Sequence, residues 1–143
     1  MLSKDIMLLF IFFQHKNYLS YIMAKSIRSI LNKRNKFAIK GSIWIECSGK
    51  GFFGPGPLEL LERINETGSI SQAAKQMKMS YKKAWEIINF LNTKSAHALV
   101  VTQTGGNSGG GSIITEEAKE LIAWYRSLRE RFRVFVEKES KNM

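Results

Sequence analysis

Five lysines, Lys75, Lys78, Lys82, Lys83 and Lys94, stand between Thr67 and Thr115 against one acid, Glu86. Lysines at this density, with Ser80 and Tyr81 among them, suit chemistry on a polyanion: ammonium groups neutralise phosphates, while Lys can reach guanine acceptors and Glu a cytosine amino group. Groups for covalent or acid–base catalysis are few. The chain has one cysteine, Cys47, two histidines, His15 and His97, and one aspartate, Asp5. No His stands near Cys47 in a readable motif, and no paired acids mark a pocket, so neither an enzyme nor a metal site is expected. The single cysteine excludes an intrachain disulfide and suits a reducing cytosol, which points to a cytoplasmic protein without cofactors.

The whole chain shares this bias. With 22 Lys and Arg against 12 Asp and Glu in 143 residues, the formal charge is +10. That balance favours nucleic acid or an anionic surface as partner. The apolar run Ile6 to Phe13 is far shorter than the ~20 residues a membrane span needs, and no A-x-A cleavage site follows it, so no membrane partner is expected. Residues 1–36 carry seven Lys and Arg against Asp5 alone and read as a basic extension, helical or partly disordered. Met7 and Met23 are possible alternative starts within it. Residues 37–143 read as one domain, since this length suits a single core.

The elements that must position the lysines follow from residue spacing. Phe37, Ile39, Ile43, Ile45 and Cys47 alternate with Ala38, Lys40, Ser42 and Glu46, which predicts a half-buried strand with Trp44 on its outer face. After the glycine-rich stretch SGKGFFGPGP, Pro57 opens a helix to about Thr67 with Gly68 as its stop. A second helix starts at Ser69 or Ser71, and Ser80 caps a third. On the third, Tyr81, Ala84, Trp85, Ile88, Leu91 and Asn92 share one face, while Lys82, Lys83, Glu86 and Asn89 project elsewhere. Two short helices joined by a tight turn, the second with polar first turns, are how a helix-turn-helix addresses a major groove. The competing reading is a solvated face with a Lys82–Glu86 pair, worth only about 0.2–0.5 kcal/mol.

Next come β-prone runs, Leu99 to Thr104 and Ser112 to Thr115, around a stretch in which five of seven residues are glycine. As composition this is a linker. Between two strands it is equally a hairpin tip able to approach phosphates closely, a wing. A P-loop is excluded because no Gly-Lys-Ser/Thr ending follows. Thr115 then caps a long helix to about Lys138, with Glu116 and Glu117 in its first turn. Its apolar face, which includes Leu121, Tyr125, Leu128 and Phe132, is wider than one core contact needs, so part of it is expected to meet a second copy.

The motifs LELLERINETGSISQAAK, MSYKKAWEIINFLN and TQTGGNSGGGSIITEEAKELI, within the run from Ile39 to about Arg131, resemble the amino-terminal DNA-binding domain of ModE, the molybdate-responsive transcriptional regulator. The resemblance covers about two thirds of the chain. It implies an α+β, mostly helical, winged helix-turn-helix with an amino-terminal strand or hairpin and a long dimerisation helix over residues 115–139. It implies a sequence-specific regulator that binds double-stranded DNA as a homodimer. The DNA-contacting set would be Ser71, Lys78, Ser80, Tyr81, Lys82, Lys83 and Glu86, with Thr104, Gly105, Gly106, Asn107, Gly109 and Gly110 on the wing. Ile43, Ile45, Leu121, Tyr125, Leu128 and Phe132 would form the dimer interface. The family's molybdate-binding modules would follow this domain, whereas the chain stops at Met143, so direct molybdate binding is not expected. The basic extension has no counterpart in the family pattern. A general nucleic-acid-binding or chromosome-organising protein is the alternative, distinguished by a low ratio between matched and unrelated duplexes.

Overall fold

The computed structural model describes residues 27, 29–103 and 111–143. These fall into two compact units, one formed by residues 42–132 and the other by the described residues up to 41 together with 133–143.

In the first unit, a hairpin of β1 (Ile45–Cys47) and β2 (Lys50–Phe53) leads into α1 (Pro55–Thr67), α2 (Ile70–Gln76) and α3 (Tyr81–Lys94). A second hairpin, β3 (Val100–Gln103) with β4 (Gly111–Ile114), precedes α4 (Glu116–Asn142), whose last part belongs to the second unit. The described fold is thus mostly helical, with two small antiparallel sheets.

Local chemistry explains most boundaries. Proline costs no hydrogen bond in the first turn of a helix, so α1 opens at Pro55, two residues before the expected Pro57, and retains Pro57 inside that turn. Gly68, at φ 64°, closes α1 by donating its N–H to the Ile64 carbonyl at 2.8 Å. Ser69 rather than Ser71 caps α2, its hydroxyl accepting the N–H of Gln72, and Ser80 caps α3 by accepting that of Lys83 at 3.1 Å. Thr115 accepts the N–H of Ala118 and donates to the Ala98 carbonyl, which fixes the start of α4 to the chain before β3.

The core lies between α1, α2, α3 and the first turns of α4. Leu60, Leu61, Ile64, Ile88 and Leu91 are fully enclosed, each contributing about 1.5–3 kcal/mol through burial. Ala73, Ala74, Ala84 and Ala118 are buried where the helices approach each other. Tyr125 and Phe53 complete it, their rings edge to face with centroids 5.1 Å apart.

The strand expected over Phe37 to Cys47 is cut to Ile45–Cys47. Its partner β2 is four residues long, so pairing ends at Ile45↔Phe53 and earlier residues have no ladder to join. Phe37 and Ile39 are accordingly exposed. In the second unit the Ile39 N–H instead donates to the Ser140 hydroxyl at 2.9 Å. Residues 1–26 and 28 of the amino-terminal extension lie outside the described residues; among those described, Ile27, Ser29 and Ile30 are helical. The terminal helix runs to Asn142, four residues past the expected Lys138.

Candidate nucleic-acid interface

The turn from α2 into α3 is short and tightly bonded. The N–H groups of Met77, Lys78 and Met79 reach the carbonyls of Ala73, Lys75 and Ala74 at 3.0–3.1 Å, and Lys78 takes a left-handed φ of 54°. That conformation lets the chain reverse within a few residues, at some strain for a residue with a Cβ. It brings Ser80 directly to the cap position of α3.

Ala84, Ile88 and Leu91 anchor α3 in the core. Ser80, Tyr81, Lys82, Lys83, Glu86 and Asn89 are exposed, so the first three turns offer hydroxyl, phenol, ammonium, carboxylate and amide groups together. Ser71 on α2 and Lys78 in the turn are exposed as well. The Ser80 hydroxyl serves the cap and its carbonyl accepts the Ala84 N–H, which orients the helix start. Among the described residues no ion pair joins Lys82 to Glu86, leaving both charged groups available to a partner.

The shared face of this helix is only partly buried. Tyr81 and Trp85, which share a face with Ala84 and Ile88 in the sequence, are 55% and 44% exposed. The core covers a narrow stripe centred on Ala84, Ile88 and Leu91, and both aromatic rings fall at its edge. Trp85 follows Tyr81 by four residues and so lies beside it on the exposed edge of the helix.

Both flanks of α3 carry a hairpin. On one side the Asn92 side chain bonds to Leu99 and Val100 of the β3 segment, and on the other Phe90 packs on Phe52 of β2 with ring centroids 6.3 Å apart. The β3–β4 ladder is in unbroken register from Val100↔Ile114 to Gln103↔Gly111. Its base is fixed by Ser112, whose N–H donates to the Gly68 carbonyl at 2.8 Å. The assigned wing residues Thr104, Gly105, Gly106, Asn107, Gly109 and Gly110 lie outside the described residues, immediately beyond this ladder.

The six residues assigned to a subunit interface divide differently from expectation. Tyr125 is fully buried in its own core, and its hydroxyl donates to the Ile43 carbonyl at 2.5 Å, so it has no surface for a second copy. The wheel that placed it on the apolar face could not show that Ile43 and Phe53 meet it. Burial also raises its pKa, partly offset by the nearby Arg129 charge. Ile45, Leu121 and Leu128 are half-buried against the core, while Ile43 and Phe132 keep part of their surface. Trp124, at 52%, is the large exposed apolar residue of this stretch of helix.

At the start of α4, Glu117 has its pKa lowered by its own backbone N–H and by the Thr115 hydroxyl. Its carboxylate therefore serves the helix terminus. Among the described residues no group of three or more His, Cys, Asp or Glu is placed to hold a metal ion, and no helix is long and apolar enough to cross a membrane.

No protein-family model matches the chain. Individual proteins do. The DNA-binding transcriptional dual regulator ModE of Escherichia coli K12 is 44% identical over 81 residues, 57% of this chain and 31% of that protein. The transcriptional regulator ModE of Yersinia pestis is 47% identical over 74 residues, 52% of this chain and 28% of that protein. The molybdenum-pterin-binding protein MopB of Rhodobacter capsulatus is 39% identical over 75 residues, 52% of this chain and 28% of that protein. The chain thus spans less than a third of the length of each of these relatives. Over about half of its own length the chain is similar to the amino-terminal region of the ModE regulators, a match that fits a ModE-type DNA-binding domain.

Proposed function

We propose that this protein is a sequence-specific, DNA-binding transcriptional regulator of the ModE-like type and that it acts as a homodimer. The observation that carries the reading is the exposed start of α3, where Ser80, Tyr81, Lys82, Lys83 and Glu86 stand together on a helix held rigidly by Ala84, Ile88 and Leu91. In this reading α2, the turn and α3 form a helix-turn-helix, and α3 lies in a major groove. Lys82 and Lys83 neutralise phosphates or reach guanine acceptors, Glu86 accepts from a cytosine amino group, and Lys78 and Ser71 contact the flanking backbone. Thr104 to Gly110 form a wing along the neighbouring phosphates, where absent side chains permit close backbone approach.

Trp124 replaces Tyr125 in the proposed dimer surface, beside the uncovered parts of Leu121, Leu128 and Phe132 on the same helix. A single helix with this much exposed apolar area favours self-association. The formal charge of +10 supports affinity for DNA in general, and the mixed donors and acceptors on α3 support selectivity.

The test is selection of duplexes from a random pool by the full chain. Enrichment of one two-fold-related motif supports the reading. Recovery of unrelated sequences at comparable affinity supports a general nucleic-acid-binding protein instead.

A further inference from the structure

We infer that the β1–β2 hairpin is a second DNA-backbone arm, with Lys50 as its phosphate contact, on the flank of α3 opposite the β3–β4 ladder. This rests on the reading of α3 as the helix that enters a major groove.

The geometry comes from which residues of α3 touch which hairpin. At 3.6 residues per turn, Asn92 and Phe90 lie roughly 160° apart around the helix, and Lys82, Glu86 and Asn89 project within that arc. The buried Ala84, Ile88 and Leu91 occupy the remaining side. Asn92 is bonded to the β3 segment and Phe90 packs on β2. The exposed face of α3 is therefore flanked by one hairpin on each side. A major groove is bordered by two phosphate backbones, so a helix seated in it meets one on either flank. The β3–β4 ladder stands on the side of one of them, and the β1–β2 hairpin on the side of the other.

Its chemistry suits that place. The loop joining β1 to β2 is the pair Ser48 and Gly49, both at positive φ (52° and 75°), the sign that tight two-residue hairpin loops require. Lys50 follows at once, exposed and paired with Cys47 in the last rung. Lys50 and Lys83 line the same open groove of about 260 Å³ between hairpin and helix, above Phe52, Ile87 and Phe90. Glu86 also borders it, yet neither lysine is in an ion pair among the described residues. Two unpaired ammonium groups on the walls of one cleft beside the groove-entering helix present a strip of positive charge to a sugar-phosphate strand.

The experiment measures duplex affinity of the full chain across a range of salt concentrations, on a selected site and on an unrelated sequence, for wild type, Lys50→Ala, Lys50→Arg and Lys83→Ala. Lys50→Ala should weaken both duplexes by the same factor and reduce the slope of log K against log salt by about 0.9, with Lys50→Arg retaining the slope. An unchanged slope for Lys50→Ala, alongside an effect of Lys83→Ala, overturns the hairpin contact and leaves the reading of α3 intact. Loss confined to the selected site also overturns it, because Lys50 would then read bases. Wild type that binds neither duplex overturns the DNA-binding reading itself.

Discussion

The Asn92 side chain is bonded to both backbone groups of Val100, donating to its carbonyl at 2.8 Å and accepting its N–H at 3.1 Å. The same oxygen accepts the N–H of Leu99 at 2.8 Å. One amide on α3 thereby stands in for a neighbouring strand at the start of β3, and it fixes how the second hairpin leaves the helix.

Asn92→Ala leaves those partly buried backbone groups without partners. The expected cost is about 1–3 kcal/mol, read as a lower urea midpoint with unchanged slope. An unaltered midpoint would mean that water replaces the amide without loss.

Lys82→Ala and Lys83→Ala should each weaken DNA binding in distinguishable ways. A lysine on phosphate lowers affinity on all sequences and reduces the salt slope by about one; a base-reading lysine costs about 1–3 kcal/mol mainly on the matched site. Salt-dependent titrations on matched and unrelated duplexes assign each role.

Replacing Gly109 and Gly110 by Val should reduce DNA affinity with little change in the thermal midpoint, since bulk in the proposed wing would obstruct a phosphate more than it disturbs the core. Affinity equal to wild type would identify the segment as a passive linker.

Burial raises the Tyr125 pKa above its ordinary value of 10.0. The unfolded phenol ionises first, so this contribution to stability is complete below about pH 10 and disappears as pH rises through the folded-state pKa. Tyr125→Phe should flatten the alkaline limb of the stability curve. At neutral pH it should cost about 0.5–1.5 kcal/mol for the hydrogen bond lost to the Ile43 carbonyl. Denaturation curves at neutral and alkaline pH check both, and an equal alkaline decline in the variant would assign that decline to other groups.

Much of this arrangement is legible in the residues. Gly68, Ser69, Ser80 and Thr115 terminate or open helices through local backbone chemistry, and local chemistry needs no knowledge of the fold. What escaped depends on distant partners. Alternation from Phe37 to Cys47 looks like one strand, but strand length is set by the four residues of β2, hidden in a glycine-rich stretch. A helical wheel gives Tyr81, Trp85 and Tyr125 comparable claims to burial. Only the placement of Ile43 and Phe53 against Tyr125, while Trp85 stays 44% exposed, separates them.

The homodimer is tested by sedimentation of wild type and Trp124→Glu at micromolar concentration. A species of twice 16.3 kDa for wild type, shifted toward monomer in the variant, is expected; a 16.3 kDa species alone for wild type would remove the second subunit from the account.

Sequence selectivity through α3 is measured most directly as the ratio of affinities for the selected duplex and an unrelated one of equal length, at a single salt concentration. A ratio of about 10³ or more for wild type, falling sharply when Tyr81, Lys83 and Glu86 are replaced together by Ala in a chain that remains folded, is the result predicted here. A ratio near one for wild type, or one that survives the triple replacement unchanged, would contradict it.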